Sequence, residues 1–321
     1  MSMNSDIHSN NSHSSNSYSS NHSSNNNLEG SPDHLVVLVH GVGGTACELK
    51  YIAKQLSKHK SLLLKAPEVN HGLTQDGIPQ GANRIYHWIL DIISSHSIKY
   101  LSFIGHSLGG IYARTVIGLL HKNHLFPNYI IPVNFITIAT PHLGARQHAH
   151  LGSHITGRFL KTFFGDTLLQ LTLTDSLTSP DQSFLLKLTD PFYITPLKLF
   201  TNLICYANVR YDSVVCYTTG NIRLSCITDD VLDKNQVSYP AVVEDKNDEH
   251  IQDVDLINDS LERKIHRVLN RLPWKRYAVF PSRPLIAHTG ILNQSDIVRY
   301  YCTFGILGFK TWRASGSTSC G

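Results

Sequence analysis

The sequence predicts an α/β architecture, a mostly parallel central sheet with helices on both faces. Three observations carry that expectation. Short apolar runs alternate with helical stripes along most of the chain, and a strand–helix–strand order requires crossovers that lay helices over a parallel sheet. The apolar runs are continuous rather than alternating, as in strands buried on both faces. Two glycine-rich turns, GVGG and GHSLGG, follow such runs, at the carboxyl ends of strands where open α/β sheets bind ligands.

HLVVLVH (34–40) is the first strand, and GVGG ends it. Thr45-Ala-Cys-Glu48 has the form of a capping box, with Leu49, Ile52, Ala53 and Leu56 as the apolar face of the helix it opens. SLLLKAP (61–67) is a second strand stopped by Pro67, and Ile85, Trp88, Ile89 and Ile92 make another helical stripe. IKYLSFIG (98–105) is a third strand, LGGIYARTVIGLL (108–120) a third helix, and NFITIAT (134–140) a fourth strand ended by Pro141. The rhythm then breaks over 142–200, which reads as a helical lid insertion. LICYANV (203–209) and RYAVF (276–280) restore strands, separated by a polar surface excursion over about 229–272. That excursion contains a helical period with Leu261, Ile265, Val268 and Leu269 on one side.

The ends differ from this core. Of the first 27 residues, 19 are Ser or Asn, too little apolar surface to offset the entropy of ordering. Residues 1–33 are therefore expected to be a disordered tail, 34–301 the folded domain and 302–321 a second tail. The 321 residues are 41% hydrophobic with a formal charge of +4. No run of five basic residues accompanies that charge, which argues against nucleic acid as a partner. Six scattered cysteines without a C-x-x-C pair fit reduced thiols better than zinc or a disulfide framework. No leader pattern and no run of about 18 apolar residues is visible, so the expected location is cytoplasmic, with any membrane met from the aqueous side.

Gly105-His106-Ser107-Leu108-Gly109 fits G-x-S-x-G between a strand and a helix, the context of a nucleophile elbow. The flanking positions must be small because strand and helix approach closely there. A serine hydroxyl needs an imidazole to take its proton and oriented donors for the developing oxyanion. The backbone N–H of Leu108 is one expected donor, and the loop His40-Gly41-Val42-Gly43-Gly44 supplies the other through Val42, with Gly43 the alternative. That loop does not fit G-x-G-x-x-G, so a dinucleotide site is not expected.

Chain order in such sites runs Ser, acid, His. His288, in LIAHTGI, follows the last predicted strand by one loop, where the base is expected. His106 adjoins the nucleophile and should point elsewhere; His266 and His250 suit structure or solvent. Asp212, just past LICYANV, is the expected acid, with Asp229 and Asp230 as rivals.

With those residues placed, the chain resembles the putative serine esterase family of eukaryotic lipase-like α/β-hydrolases. LVVLVHGVGG, LSFIGHSLGGIYAR, ITIATPHLG, YANVRYDSVV and AHTGI carry the resemblance in order across residues 35–291. It implies an α/β-hydrolase fold and hydrolysis of carboxylic esters, lipid acyl esters foremost, by Ser107, Asp212 and His288 without a cofactor. The chain departs from the family at the oxyanion loop, where Gly43-Gly44 stands in place of a frequent aromatic residue. Within the insertion, Phe159, Leu160, Phe163 and Phe164 with Arg158 and Lys161 are either a lipid-contacting stripe or plain core. His148, His150 and His154 have no carboxylate cluster beside them, and no metal is expected. A thioesterase, a short-chain carboxylesterase and a non-catalytic scaffold are the alternatives.

Overall fold

The computed structural model describes residues 31–145, 165–176, 179–226, 241–246, 260–281, 287–293 and 298. Among these, the strands are His34–Val39 (β1), Leu62–Lys65 (β2), Tyr100–His106 (β3), Ile131–Ile138 (β4), Asn202–Asn208 (β5), Ala241–Glu244 (β6) and Trp274–Phe280 (β7). They form one sheet in the order β2–β1–β3–β4–β5–β7–β6. Every neighbouring pair is parallel except β6 against β7. The helices are Lys50–Leu56 (α1), Ile78–Ser95 (α2), Leu108–Lys122 (α3), residues 165–171 (α4), Phe184–Lys187 (α5), Pro191–Leu197 (α6), Tyr217–Gly220 (α7), Leu261–Leu269 (α8) and Ala287–Gly290 (α9). This is the α/β-hydrolase architecture.

The continuous apolar strands are explained by two cores. Along β1, Leu35, Val37 and Val39 pack with Ile85 and Ile89 of α2 and Ile111 of α3. Val36 and Leu38 point the other way, onto Leu49, Ile52 and Leu56 around α1 and onto Ile291 and Leu292. Each of the five β1 side chains is at most 1% exposed, and each contributes about 1.5–3 kcal/mol of burial. A polar residue at any of these positions would face a core whichever side it took.

Three local expectations need correction. The polar stretch 229–272 contains β6, a four-residue edge strand that pairs antiparallel with β7 from Ala241 opposite Phe280 to Glu244 opposite Tyr277. AVVE is too short to carry a period of its own. The fourth strand begins at Ile131 rather than Asn134, because Ile131 N–H is already held by Lys99 O at 2.8 Å. The capping box is half made. Thr45 Oγ1 accepts from Cys47 N at 3.3 Å, but the Glu48 carboxylate turns away to tertiary partners described below.

Arg114 ties the segment after β4 and the end of α5 to α3. Its fully buried guanidinium donates to His142 O at 3.4 Å and to Leu188 O at 3.2 Å. Burial pushes its pKa down to about 9, and the acceptors it meets among the described residues are carbonyl dipoles rather than a carboxylate. No helix among the described residues is long and apolar enough to cross a membrane.

Candidate active site

β3 runs straight into Ser107, and α3 begins at the next residue. Ser107 has φ 53° and ψ −126°, a region costly for any residue with a Cβ, by about 1–3 kcal/mol. Its surroundings hold it there. Ser107 N–H donates to Ile138 O at 2.9 Å, and the flanking glycines let strand and helix close on one another. A Cβ at Gly105 would stand 2.5 Å from Gly110 Cα, one at Gly109 would overlap Val39 O, and one at Gly110 would overlap the Thr140 side chain. The smallness expected of these positions is thus a packing requirement. Gly109→Ala should push back the end of β1, lowering stability in a urea melt by about 3 kcal/mol, the upper end for an overpacked site, and turnover with it. Gly43→Ala meets no atom within 4 Å, although Gly43 has φ +65°; it should lose only about 1–2 kcal/mol. Equal losses would mean that the crowding at Gly109 is not decisive.

The structure brings the three singled-out side chains together from the ends of three strands. His288 sits in α9, beyond β7, with Nε2 3.1 Å from Ser107 Oγ. Its Nδ1 lies 3.0 Å from Asp212 Oδ2; the carboxylate can only accept, so Nδ1 carries the proton and Nε2 is left to face the hydroxyl. Asp212 follows β5 and its side chain is 1% exposed. Asp212 Oδ1 accepts from the backbone N–H groups of Val214 at 3.0 Å and Val215 at 2.8 Å. Oδ2 also accepts from Asn208 Nδ2 at 2.9 Å. Asn208 Nδ2 in turn donates to Ala287 O at 3.1 Å, so one amide holds both the acid and the turn bearing the imidazole.

Two N–H groups are open for an anion. The Leu108 N–H lies at the start of α3, where the helix dipole is positive, and it has no partner among the described residues. In the preceding loop, Gly41 O accepts from His40 Nδ1 at 2.9 Å and from Gly44 N at 3.2 Å. A trans peptide sets its N–H opposite its C=O, so these two bonds fix the direction of the Val42 N–H, which is itself without a partner. Gly43 N–H is taken by Thr74 Oγ1 at 2.9 Å, which leaves Val42 rather than Gly43 open. The loop lies against the serine, for a Cβ on Gly41 would stand 2.9 Å from Ser107 Cβ.

His106 does point away from Ser107. Its Nδ1 lies 3.2 Å from Glu48 Oε2 and its Nε2 3.0 Å from His288 O. Glu48 Oε2 also accepts from Gly41 N at 3.1 Å. These contacts, with those of Asn208 and Thr74, carry no sequence signal: Thr74 is 31 positions from Gly43, and Glu48 is 58 from His106.

Burial acts to raise the carboxyl pKa of both acids. In Asp212 it is outweighed by the bond and charge of His288 and by the donors of Val215 and Asn208, and the net shift is downward. In Glu48 it is outweighed by the bond and charge of His106 and by Gly41 N–H, again with a net fall. A folded pKa below the unfolded one gives stability that is present above the ordinary carboxylate range, near 4, and lost as pH falls through the depressed value. The melting temperature should therefore drop as pH falls below about 4. In Asp212→Asn/Glu48→Gln that acid slope should be shallower; an unchanged slope would place the acid sensitivity elsewhere.

Asp229, Asp230 and His250 lie outside the described residues, as do His148, His150, His154 and the Arg158–Phe164 stripe. His266 is fully buried in α8. Among the described residues, no group of three or more His, Cys, Asp or Glu side chains is placed to hold a metal ion.

Comparison with known proteins adds lineage to this geometry. The chain is 30% identical over 212 residues to a Schizosaccharomyces pombe protein named putative lipase C4A8.10, covering 60% of this chain and 26% of the relative. It is 34% identical over 119 residues to putative lipase ROG1 of Saccharomyces cerevisiae, covering 35% of this chain and 17% of that one. The chain thus spans about a quarter or less of the length of these relatives. Among solved structures, the RedJ thioesterase from the prodiginine biosynthetic pathway of Streptomyces coelicolor aligns over 84% of this chain and 85% of its own, at 13% identity and a TM-score of 0.42. The model of the family described as "Putative serine esterase (DUF676)" matches residues 29–227, a stretch that contains Ser107 and Asp212 and stops short of His288. The chain belongs to the putative serine esterase family.

Proposed function

We propose that this protein hydrolyses carboxylic esters, lipid acyl esters foremost, with Ser107 as nucleophile, His288 as general base and acid, and Asp212 as the group that orients the imidazole. The observation that carries the reading is the hydrogen-bonded line from Ser107 Oγ through His288 to Asp212, at 3.1 and 3.0 Å. Ser107 Oγ attacks the ester carbonyl as His288 Nε2 takes its proton. The carbonyl oxygen, now an anion, is received by Val42 N–H and Leu108 N–H. Collapse expels the alcohol, which takes the proton from His288, and leaves an acyl-serine. Water then repeats the sequence and releases the acid.

The apolar substrate is supported by exposed apolar residues adjacent in sequence to the groups that hold the site. Val42, Leu73, Tyr211 and Val214 are large apolar residues left 36–48% exposed. Val42 is in the oxyanion loop, Leu73 adjoins the Thr74 that holds that loop, and Tyr211 and Val214 bracket Asp212. The two named relatives are called putative lipases, which accords with the same substrate class. The lid over 142–200, the folded span 34–301 and the two tails are part of this proposal.

The test is hydrolysis of nitrophenyl esters with acyl chains of two to sixteen carbons, alongside labelling by a fluorophosphonate. Turnover and labelling that both depend on Ser107, with preference for long chains, are the expected result. Preference for the shortest chains would replace the lipid reading by a short-chain esterase. Absence of labelling would overturn the hydrolase itself.

A further inference from the structure

We propose that Glu48 and His106 form a positioning pair that fixes the turn bearing the base and the oxyanion loop relative to each other. This rests on the hydrolase reading above and adds residues that it does not use. His106 lies between the elbow glycine and the nucleophile, yet its ring spans two other parts of the site. Nε2 faces the His288 carbonyl at 3.0 Å, while Nδ1 faces Glu48 Oε2 at 3.2 Å. The same Glu48 oxygen accepts from Gly41 N at 3.1 Å. A chain of three bonds therefore runs from the main chain of the oxyanion loop to the main chain of the base.

The chemistry of the acceptors sets the state in which the chain is complete. A peptide carbonyl and an ionised carboxylate only accept, so a doubly protonated His106 makes both bonds and either neutral tautomer makes one. The groups that face this ring are Glu48 from the 3₁₀ turn Ala46–Leu49, the ring of His288 with its centroid 4.9 Å away, and, by way of Glu48, His40 at the end of β1. The His106 side chain is 2% exposed and that of Glu48 22%, so the pair is shielded on one side and reaches solvent on the other. His288 Nδ1 and Nε2 are used by Asp212 and Ser107. His106 thus makes no hydrogen bond to the imidazole it lies beside and grips the base through its backbone. An error of about 1 Å in the placement of a reacting group costs on the order of 10²-fold in rate.

The test compares His106→Leu, His106→Gln, Glu48→Ala and the double variant Glu48→Ala/His106→Leu. The readouts are kcat and KM for nitrophenyl butyrate, the rate of fluorophosphonate labelling, melting temperature, and deuterium uptake by peptides covering 41–44 and 287–293. His106→Leu is expected to lower kcat about 30–100-fold with KM within about 2-fold, and to raise exchange in both peptides. Gln keeps an N–H that can reach the His288 carbonyl, so His106→Gln should stay within about 5-fold of the wild-type kcat. Because the two side chains act in series, the double variant should be no slower than His106→Leu alone. A folded His106→Leu with wild-type kcat and exchange, a Gln variant as slow as Leu, or multiplicative losses in the double variant would each overturn the pair. If the wild-type protein does not react with the fluorophosphonate, the hydrolase reading fails. Exchange in the two peptides still decides whether His106 couples them.

Discussion

Ser107→Ala is expected to lower kcat for ester hydrolysis by about 10⁴–10⁶-fold, the scale seen when a triad nucleophile is removed, while leaving the fold intact. The structural change is one oxygen at a site 4% exposed. The backbone bond from Ser107 N–H to Ile138 O does not involve the side chain, and an alanine Cβ occupies the space the serine Cβ already fills. What is lost is the hydroxyl that faces His288 Nε2 at 3.1 Å. Ser107→Gly separates the two roles of this position. Glycine adopts φ +53° without the Cβ conflict, so the Gly variant should be more stable than the Ala variant by about 1 kcal/mol and equally inactive. That order in a urea melt would identify the backbone at Ser107 as a strained conformation held for chemistry. If Ser107→Ala kept wild-type turnover, the nucleophile would have to be another residue.

The sequence made the candidate nucleophile readable because the demands on it are local. Gly105, Gly109 and Gly110 are glycines because strand, helix and Thr140 leave no room for a Cβ, and crowding of that kind is written in consecutive residues. Chain order and the strand pattern carried the reading to Asp212 and His288, which come together only through the sheet. The sequence named Val42 with Gly43 as the alternative; what takes Gly43 N–H is Thr74, brought to the loop by the segment after β2, and that was not legible. Glu48 shows the same limit in a sharper form. Thr45 through Glu48 satisfies the pattern of a capping box, but a carboxylate goes to its strongest donors. Here those donors, Gly41 N–H and His106, come from other loops. β6 escaped because four residues of AVVE make a strand only once β7 offers an edge. Residues fixed by neighbours in the chain, or by a set place after a strand, were readable; Thr74, Glu48 and β6, whose roles depend on partners met only in space, were not.

Asp212→Asn is expected to lower kcat by about 10³–10⁴-fold, with KM and labelling-site identity unchanged. The carboxylate accepts four bonds: Val214 N–H and Val215 N–H on Oδ1, and Asn208 Nδ2 and His288 Nδ1 on Oδ2. An amide has one accepting atom and one donating group, so it cannot serve both sides. With its NH₂ on the Oδ1 side it would face two backbone donors that cannot move without reshaping the loop. With its NH₂ on the Oδ2 side it faces Asn208 and His288, and the imidazole can answer by moving its proton to Nε2. The second arrangement disturbs less of the main chain and should prevail. An Nε2 that carries a proton cannot take one from Ser107, so the base is present and oriented but in the wrong tautomer. The loss should therefore fall on fluorophosphonate labelling and ester turnover alike, and Asp212→Asn should label more slowly than wild type by a similar factor. A variant within 10-fold of wild type in both measurements would mean that Asp212 holds the loop and does not govern the imidazole.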